Sequence, residues 1–160
     1  MKKITLSLLS AALLTTSAFA ETNSYISIDG GSIDLGKSST TVYGFSYGLD
    51  YISKKGVYAG MDIEYLIPQD ATLDSSAFFT AGIELGYEFI NSLDLYGHID
   101  YTIYDIFDGI TYGTGAKYHF NKYIALKAQY TTGTLSGISD MADLDYTAIY
   151  GGLEFNFYTK

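Results

Sequence analysis

The chain contains no cysteine and no arginine, and its single proline is Pro68. After the first twenty residues every apolar run is broken by Gly, Asp or Glu within a few positions. Each absence removes a class of protein. Without Cys there is no disulfide to support the fold, no thiolate metal site and no Cys nucleophile. Beyond Ala20 there are seven lysines and 18 acidic residues, a formal charge of 7 − 18 = −11. No cluster of cations is left to neutralise phosphate, so nucleic-acid binding is excluded. A bilayer-spanning helix needs about 20 apolar residues in a row, and no such run follows the N-terminus. Charged residues make up 17% of the chain, low against about 25% in soluble domains.

The N-terminus reads as an export leader. Lys2 and Lys3 form a positive segment, Ile4 to Leu14 an apolar one, and Ala18-Phe19-Ala20 a small-residue cleavage site ending at Ala18 and Ala20. The apolar segment is too short to span a membrane. Residues 1–20 are therefore expected to be a cleaved signal peptide, and residues 21–160 one domain.

What the chain does have is aromatic and glycine residues: 17 Tyr, 9 Phe and 17 Gly. They fall into an alternating pattern, as in Val42-Tyr43-Gly44-Phe45-Ser46-Tyr47-Gly48-Leu49-Asp50-Tyr51 and Phe79-Thr80-Ala81-Gly82-Ile83-Glu84-Leu85-Gly86-Tyr87-Glu88-Phe89. A period of two marks strands, whose successive side chains point to opposite faces. Eight segments carry it: Ser24–Asp29, Thr41–Ile52, Gly56–Ile67, Ser76–Ile90, Leu93–Asp105, Ile110–Phe120, Tyr123–Gly133 and Asp145–Tyr158. Strands of about 9–11 residues suffice to cross a bilayer when tilted.

The connections alternate in kind. Ser53-Lys54-Lys55-Gly56, Asn91-Ser92 and Asn121-Lys122 are tight, and Lys54, Lys55 and Lys122 are basic. Gly30–Thr40, Pro68–Ser75, Ile106–Gly109 and Thr134–Leu144 are mostly longer, and Asp34, Asp70, Asp74, Asp105, Asp108, Asp140 and Asp143 lie at that end. Short turns on one side and longer acidic loops on the other fit an outer-membrane barrel.

Sidedness follows from what each face carries. One face is strongly apolar: Ala77, Phe79, Ala81, Ile83, Leu85, Tyr87 and Phe89, with Ile149, Leu153, Phe155 and Phe157 near the C-terminus. The other alternates small residues with isolated charges, as in Gly44, Ser46, Gly48 and Asp50. That set suits a narrow lumen filled by side chains, with the apolar face in lipid. Tyr51, Tyr87, Phe89, Tyr118, Phe120 and Phe157, near the short turns, suit an interfacial girdle. A soluble lipocalin-like ligand carrier would reverse the two faces. The fold class is thus all-β, an eight-stranded antiparallel up-and-down transmembrane β-barrel.

The inward set then includes Asp50, Asp62, Glu64, Glu84, Glu88, Asp94, His98, Asp100, Lys117, His119, Lys127 and Glu154. Buried charges must be paired, so Lys117, Lys127 and Glu154 are expected to form a lumenal network with Glu84 or Glu88. The network reads as a plug, with a gated narrow channel as the alternative. His98 with Asp100 reads as a structural pair. A lipid A-modifying enzyme would need a serine nucleophile and a histidine base facing an acyl chain. Here both histidines face the lumen, and neither is followed by a serine of that kind. No metal site and no cofactor is expected.

These residues resemble the small outer-membrane barrel families, OmpA-like, OmpX-like and opacity-like. The sharpest element is Gly152-Leu153-Glu154-Phe155-Asn156-Phe157, which looks like the C-terminal assembly signal of such families, with Gly152, Phe155 and Phe157 as its key residues. Tyr158-Thr159-Lys160 follows, where the families usually end on an aromatic residue. The resemblance implies the outer membrane of a Gram-negative bacterium and a monomer without enzymatic activity. Its implied partners are outer-membrane lipids, lipopolysaccharide and, during biogenesis, the barrel-assembly machinery.

Overall fold

The computed structural model describes residues 21–159 apart from 37, 54–55, 70–75, 91 and 138–141. The leader with Ala18 and Ala20, and the loop residues Lys54, Lys55, Asp70, Asp74 and Asp140, lie outside the described residues. The strands are β1 (Glu21–Asp34), β2 (Ser39–Ile52), β3 (Val57–Pro68), β4 (Phe78–Ile90), β5 (Leu93–Tyr104), β6 (Phe107–Asn121), β7 (Ile124–Gly137) and β8 (Leu144–Thr159). Each pairs antiparallel with the next, and β8 returns to β1, closing the barrel in the order β1 to β8. The seam runs from Thr22 opposite Thr159 to Asp34 opposite Thr147. Closure leaves no strand edge, which is what a sheet in hydrocarbon requires.

Alternation becomes an inside and an outside. On β5, Asp94, Tyr96, His98, Asp100, Thr102 and Tyr104 are buried, while Leu95, Ile99, Tyr101 and Ile103 are exposed. Exposed aromatics gather toward the short turns, at Tyr87, Phe89, Tyr118, Phe120, Tyr123 and Phe157. A second set, Tyr43, Tyr65, Tyr101 and Tyr112, lies in the upper half of the wall, toward the longer connections. Two such belts bracket an apolar band, as at the two interfaces of a bilayer.

The strands are longer than the alternation of lipid-facing residues suggests. β1 starts at Glu21 and ends at Asp34, absorbing the flanks of Ser24–Asp29. β7 runs on to Gly137, and β6 starts at Phe107, leaving Asp105-Ile106 as the turn instead of Ile106–Gly109. Asp105 sits there at φ 53°, a conformation that an Asp side chain tolerates. The cause of the discrepancy is a change of polarity along the strand. On β1, Ile28 faces out and Asp29 in, but two turns of the pleat later Ser32 faces out and Ile33 in. Read as lipid-facing strand, Ser32-Ile33-Asp34 fails. Read as a wall with water outside and apolar side chains inside, it fits.

Gly152 shows how tightly the seam is drawn. It pairs with Asp29 of β1. A Cβ placed there would lie 2.2 Å from the Ile28 carbonyl oxygen and 2.3 Å from Asp29 Oδ1. The Asp29 carboxylate can turn aside, but the Ile28 carbonyl cannot yield without opening the seam, so a side chain at this position strains it. Gly152→Val should lower the unfolding free energy by about 1–3 kcal/mol, the usual cost of overpacking. Urea titration in lipid vesicles, followed by the gel-mobility difference between folded and unfolded protein, measures it.

Candidate functional site

An eight-stranded barrel has an interior just wide enough for side chains to fill, and the candidate site is this interior. It is stratified. At the short-turn end Asn23 of β1 donates to Asn156 of β8 across the seam, and His119 Nε2 lies 2.8 Å from Asp94 Oδ2. Above them sits Lys117 of β6, with no solvent exposure. Its Nζ lies 3.3 Å from Asp50, 3.1 Å from Glu84 and 3.5 Å from Glu154. It donates to the Tyr58 hydroxyl at 2.6 Å. Tyr58 in turn reaches both Asp50, at 2.8 Å, and Glu84, and its one proton goes to one of the two. The ammonium also faces the rings of Tyr25, Tyr58 and Tyr96, 4.4, 4.9 and 5.5 Å from their centroids.

Removing an ammonium from water costs several kcal/mol even after relaxation. Three carboxylates and three ring faces oppose that cost, the rings adding cation–π attraction. Lys127 stands directly opposite Lys117 in the β6–β7 register. It turns to other partners, Asp62 at 3.5 Å and Glu84 Oε1 at 3.9 Å. Glu84 thus bridges the two lysines, one oxygen to each, and keeps two like charges on neighbouring strands from facing each other uncompensated.

The next layer is polar and hydrogen-bonded. His98 Nδ1 lies 2.5 Å from Asp100 Oδ2, and Nε2 3.2 Å from the Tyr130 carbonyl. Tyr150 donates to Glu64 Oε2 at 2.6 Å, and Gln129 joins Tyr96 to Tyr150. Ser27 donates to Asp29 at 2.5 Å. Above this the lumen turns apolar. Ile33, Val42, Leu66, Phe78, Tyr104, Leu135, Tyr146 and Ala148 form one buried cluster. Phe78 stacks on Tyr104 at 4.2 Å between centroids. Seven strands supply these side chains, and β6 adds the partly buried Phe107. The lumen therefore has an apolar cap at its loop end and charges below it.

Of the residues expected in the network, the structure brings together Glu84, Lys117, Lys127 and Glu154. Glu88 stands apart and is a correction. It is four residues further along β4, about 13 Å at some 3.3 Å per residue. There it is half-buried at the short-turn rim opposite Asp94. Asp50 takes the place expected of Glu88, although periodicity alone gives it no network role. The tyrosines Tyr25, Tyr58 and Tyr96 were missed altogether. Their signal was parity: Tyr58 shares the face of Asp62 and Glu64, and Tyr96 that of Asp94 and His98. The assembly-signal residues divide by face, Gly152 toward the lumen and Phe155 and Phe157 toward lipid. Among the described residues no group of three or more His, Cys, Asp or Glu side chains is placed to hold a metal ion.

Closure, an apolar outer band between aromatic belts and a charged interior match one kind of protein. The family of the outer membrane protein beta-barrel domain matches residues 6–157. The chain belongs to this family. Its fold is similar to Neisserial surface protein A, at 13% identity, covering 86% of this chain and 98% of that one with a TM-score of 0.61. It is similar also to the N-terminal β-barrel domain of Pseudomonas aeruginosa OprF, at 18% identity, 84% and 97% coverage and a TM-score of 0.59. A third likeness is to Ail, the attachment invasion locus protein of Yersinia pestis, at 14% identity, 86% and 99% coverage and a TM-score of 0.53. At such identities the likeness is one of fold. No curated protein matches the chain. As a member of this family the protein resides in the outer membrane of a Gram-negative bacterium.

The two lysines differ in what their loss exposes. Lys117→Met leaves Asp50, Glu84 and Glu154 without their common cation and should cost about 3–5 kcal/mol, as for a broken buried pair. Lys127→Met should cost less, its contacts being longer and fewer. Adding Glu154→Gln to Lys117→Met should recover part of the loss. Unfolding titrations of the three variants in lipid vesicles check the order.

Proposed function

We propose that the protein is a closed, non-conducting barrel with an envelope-structural or surface-interaction role and no catalytic step of its own. One observation carries this reading. Lys117 and Glu154 have no solvent exposure, beneath an apolar cap to which every strand contributes. An ion entering from the loop end would have to cross that cap without hydration, which is costly. It would then meet carboxylates already engaged, Glu64 with Tyr150 and Asp100 with His98, and below them Glu84 with both lysines. Transport of small solutes through the lumen, the narrow-channel alternative, requires both layers to open. Both histidines are held by lumenal carboxylates, away from any acyl chain.

The partners follow from the same reading. The leader ending at Ala20 is removed on export, and residues 21–160 remain as the barrel domain. The barrel stands as a monomer among outer-membrane lipids and lipopolysaccharide. During biogenesis the assembly machinery takes hold of β8 through Gly152, Phe155 and Phe157. The two aromatic side chains are turned outward, where a partner can reach them before lipid does.

Planar-bilayer recording of the refolded protein tests the central part. The expected trace shows no discrete, lasting conductance steps at moderate voltage. Steps that recur at one amplitude, and that change in Lys117→Ala, would establish the channel instead.

A further inference from the structure

The upper rim of the barrel has two unlike walls. Within three residues of the upper strand ends, the outward positions of β7, β8, β1 and β2 include Thr134, Asp145, Thr147, Ser32, Asp34 and Thr41. At the same distance from the ends of β3, β4, β5 and β6 they include Ile67, Phe79, Ile103 and Ile110, with a single charge, Asp108, opposite Ile103. Ile110 is 65% exposed and Phe79 42%. Inside, both halves are apolar, because the cap draws on all strands. The β7–β2 wall is therefore polar outside and apolar inside, as in a barrel standing in water. Apart from Asp108 at its upper margin, the β3–β6 wall is apolar on both sides and suits no aqueous surroundings.

We propose that the outer-leaflet hydrocarbon boundary runs obliquely round this barrel, with acyl chains covering Ile67, Phe79, Ile103 and Ile110. The Ser, Thr and Asp wall of β7–β8–β1–β2 then stands clear as the extracellular side face. Acyl chains are the occupant because the apolar wall is continuous with the lipid-facing band: Ile110 pairs with Tyr101, Ile103 with Phe79, and Phe79 with Tyr65. Asp108, opposite Ile103, marks the upper margin of that wall, and among the described residues no outward charge lies below it on β3 to β6. The Tyr101 hydroxyl donates to Asp108, turning its polar end up the wall, as interfacial tyrosines do. On the opposite wall the hydroxyls pair sideways, Ser32 with Ser39 at 3.1 Å and Thr132 with Thr147 at 3.5 Å. Lipid tails would leave their remaining hydrogen-bonding capacity unused. A barrel inclined in the bilayer satisfies both walls at once. The surface free to meet an extracellular partner is then one half of the rim. This holds whether or not the lumen conducts.

The chain has neither Trp nor Cys, so one introduced residue reports alone. Ile110→Trp and Ile103→Trp would be compared with Thr134→Trp and Thr147→Trp in phosphatidylcholine vesicles carrying bromine on the acyl chains. The expected result is severalfold stronger quenching of indoles 103 and 110 than of 134 and 147. Equal quenching on both walls, deep or shallow, would overturn the proposal. Should a Trp variant fail to fold, spin labels on Cys at the same four positions give the same comparison. Oxygen should collide preferentially at 103 and 110, and a water-soluble nickel chelate at 134 and 147. Nickel access at 110 matching that at 134 would equally overturn it.

Discussion

A backbone that crosses hydrocarbon must find every hydrogen-bond partner within itself, since lipid offers none. In this chain that constraint is met by closing eight strands on one another, β8 back onto β1. Closure at this strand number sets the interior width, and the width leaves room for side chains and little else. The period of the strand then decides what is enclosed. Most polar residues on the inward phase are buried whether or not burial suits them. The charges at Lys117 and Lys127 are a consequence of closure and must be compensated within the lumen.

Compensation explains the lower lumen in detail. Lys117 is surrounded by carboxylates from β2, β4 and β8 and by tyrosine rings from β1, β3 and β5. One ammonium thus ties together side chains from strands all round the barrel, which backbone pairing links only to immediate neighbours. Glu84 extends the tie to Lys127 and so to β7. Such a cluster costs desolvation and returns specificity of register, because a one-residue slip of any strand would turn its charge into lipid. The apolar cap above works differently. It is held by apolar packing rather than by charge, with Phe78 stacked on Tyr104.

The sequence made the number of strands, their phase and the short-turn end legible, because the lipid-facing residues announce all three. It concealed the upper strand ends. Ser32-Ile33-Asp34 and Thr134-Leu135-Ser136 alternate in the correct phase with reversed polarity, and stretches rich in Gly, Ser and Asp resemble loops. Lys117, Lys127, Glu84 and Glu154 could be placed on the inward face by parity. Which carboxylate meets which lysine depends on the stagger between strands, which periodicity does not contain; Glu88 fell below the cluster and Asp50 into it. Tyr25, Tyr58 and Tyr96 are hidden by the usual placement of barrel aromatics on the lipid face. Parity already argued against it for Tyr58 and Tyr96.

Reactivity of the lysines toward a water-soluble amine-acylating reagent tests the sealed lumen most directly. The folded barrel in vesicles would be treated, digested and mapped by mass spectrometry. Lys122, exposed at a short turn beside Tyr123, should be acylated readily, while Lys117 and Lys127 stay unmodified until the protein is unfolded. Acylation of Lys117 in the folded barrel at a rate near that of Lys122 would contradict the account, since it requires water and reagent to reach the centre of the lumen.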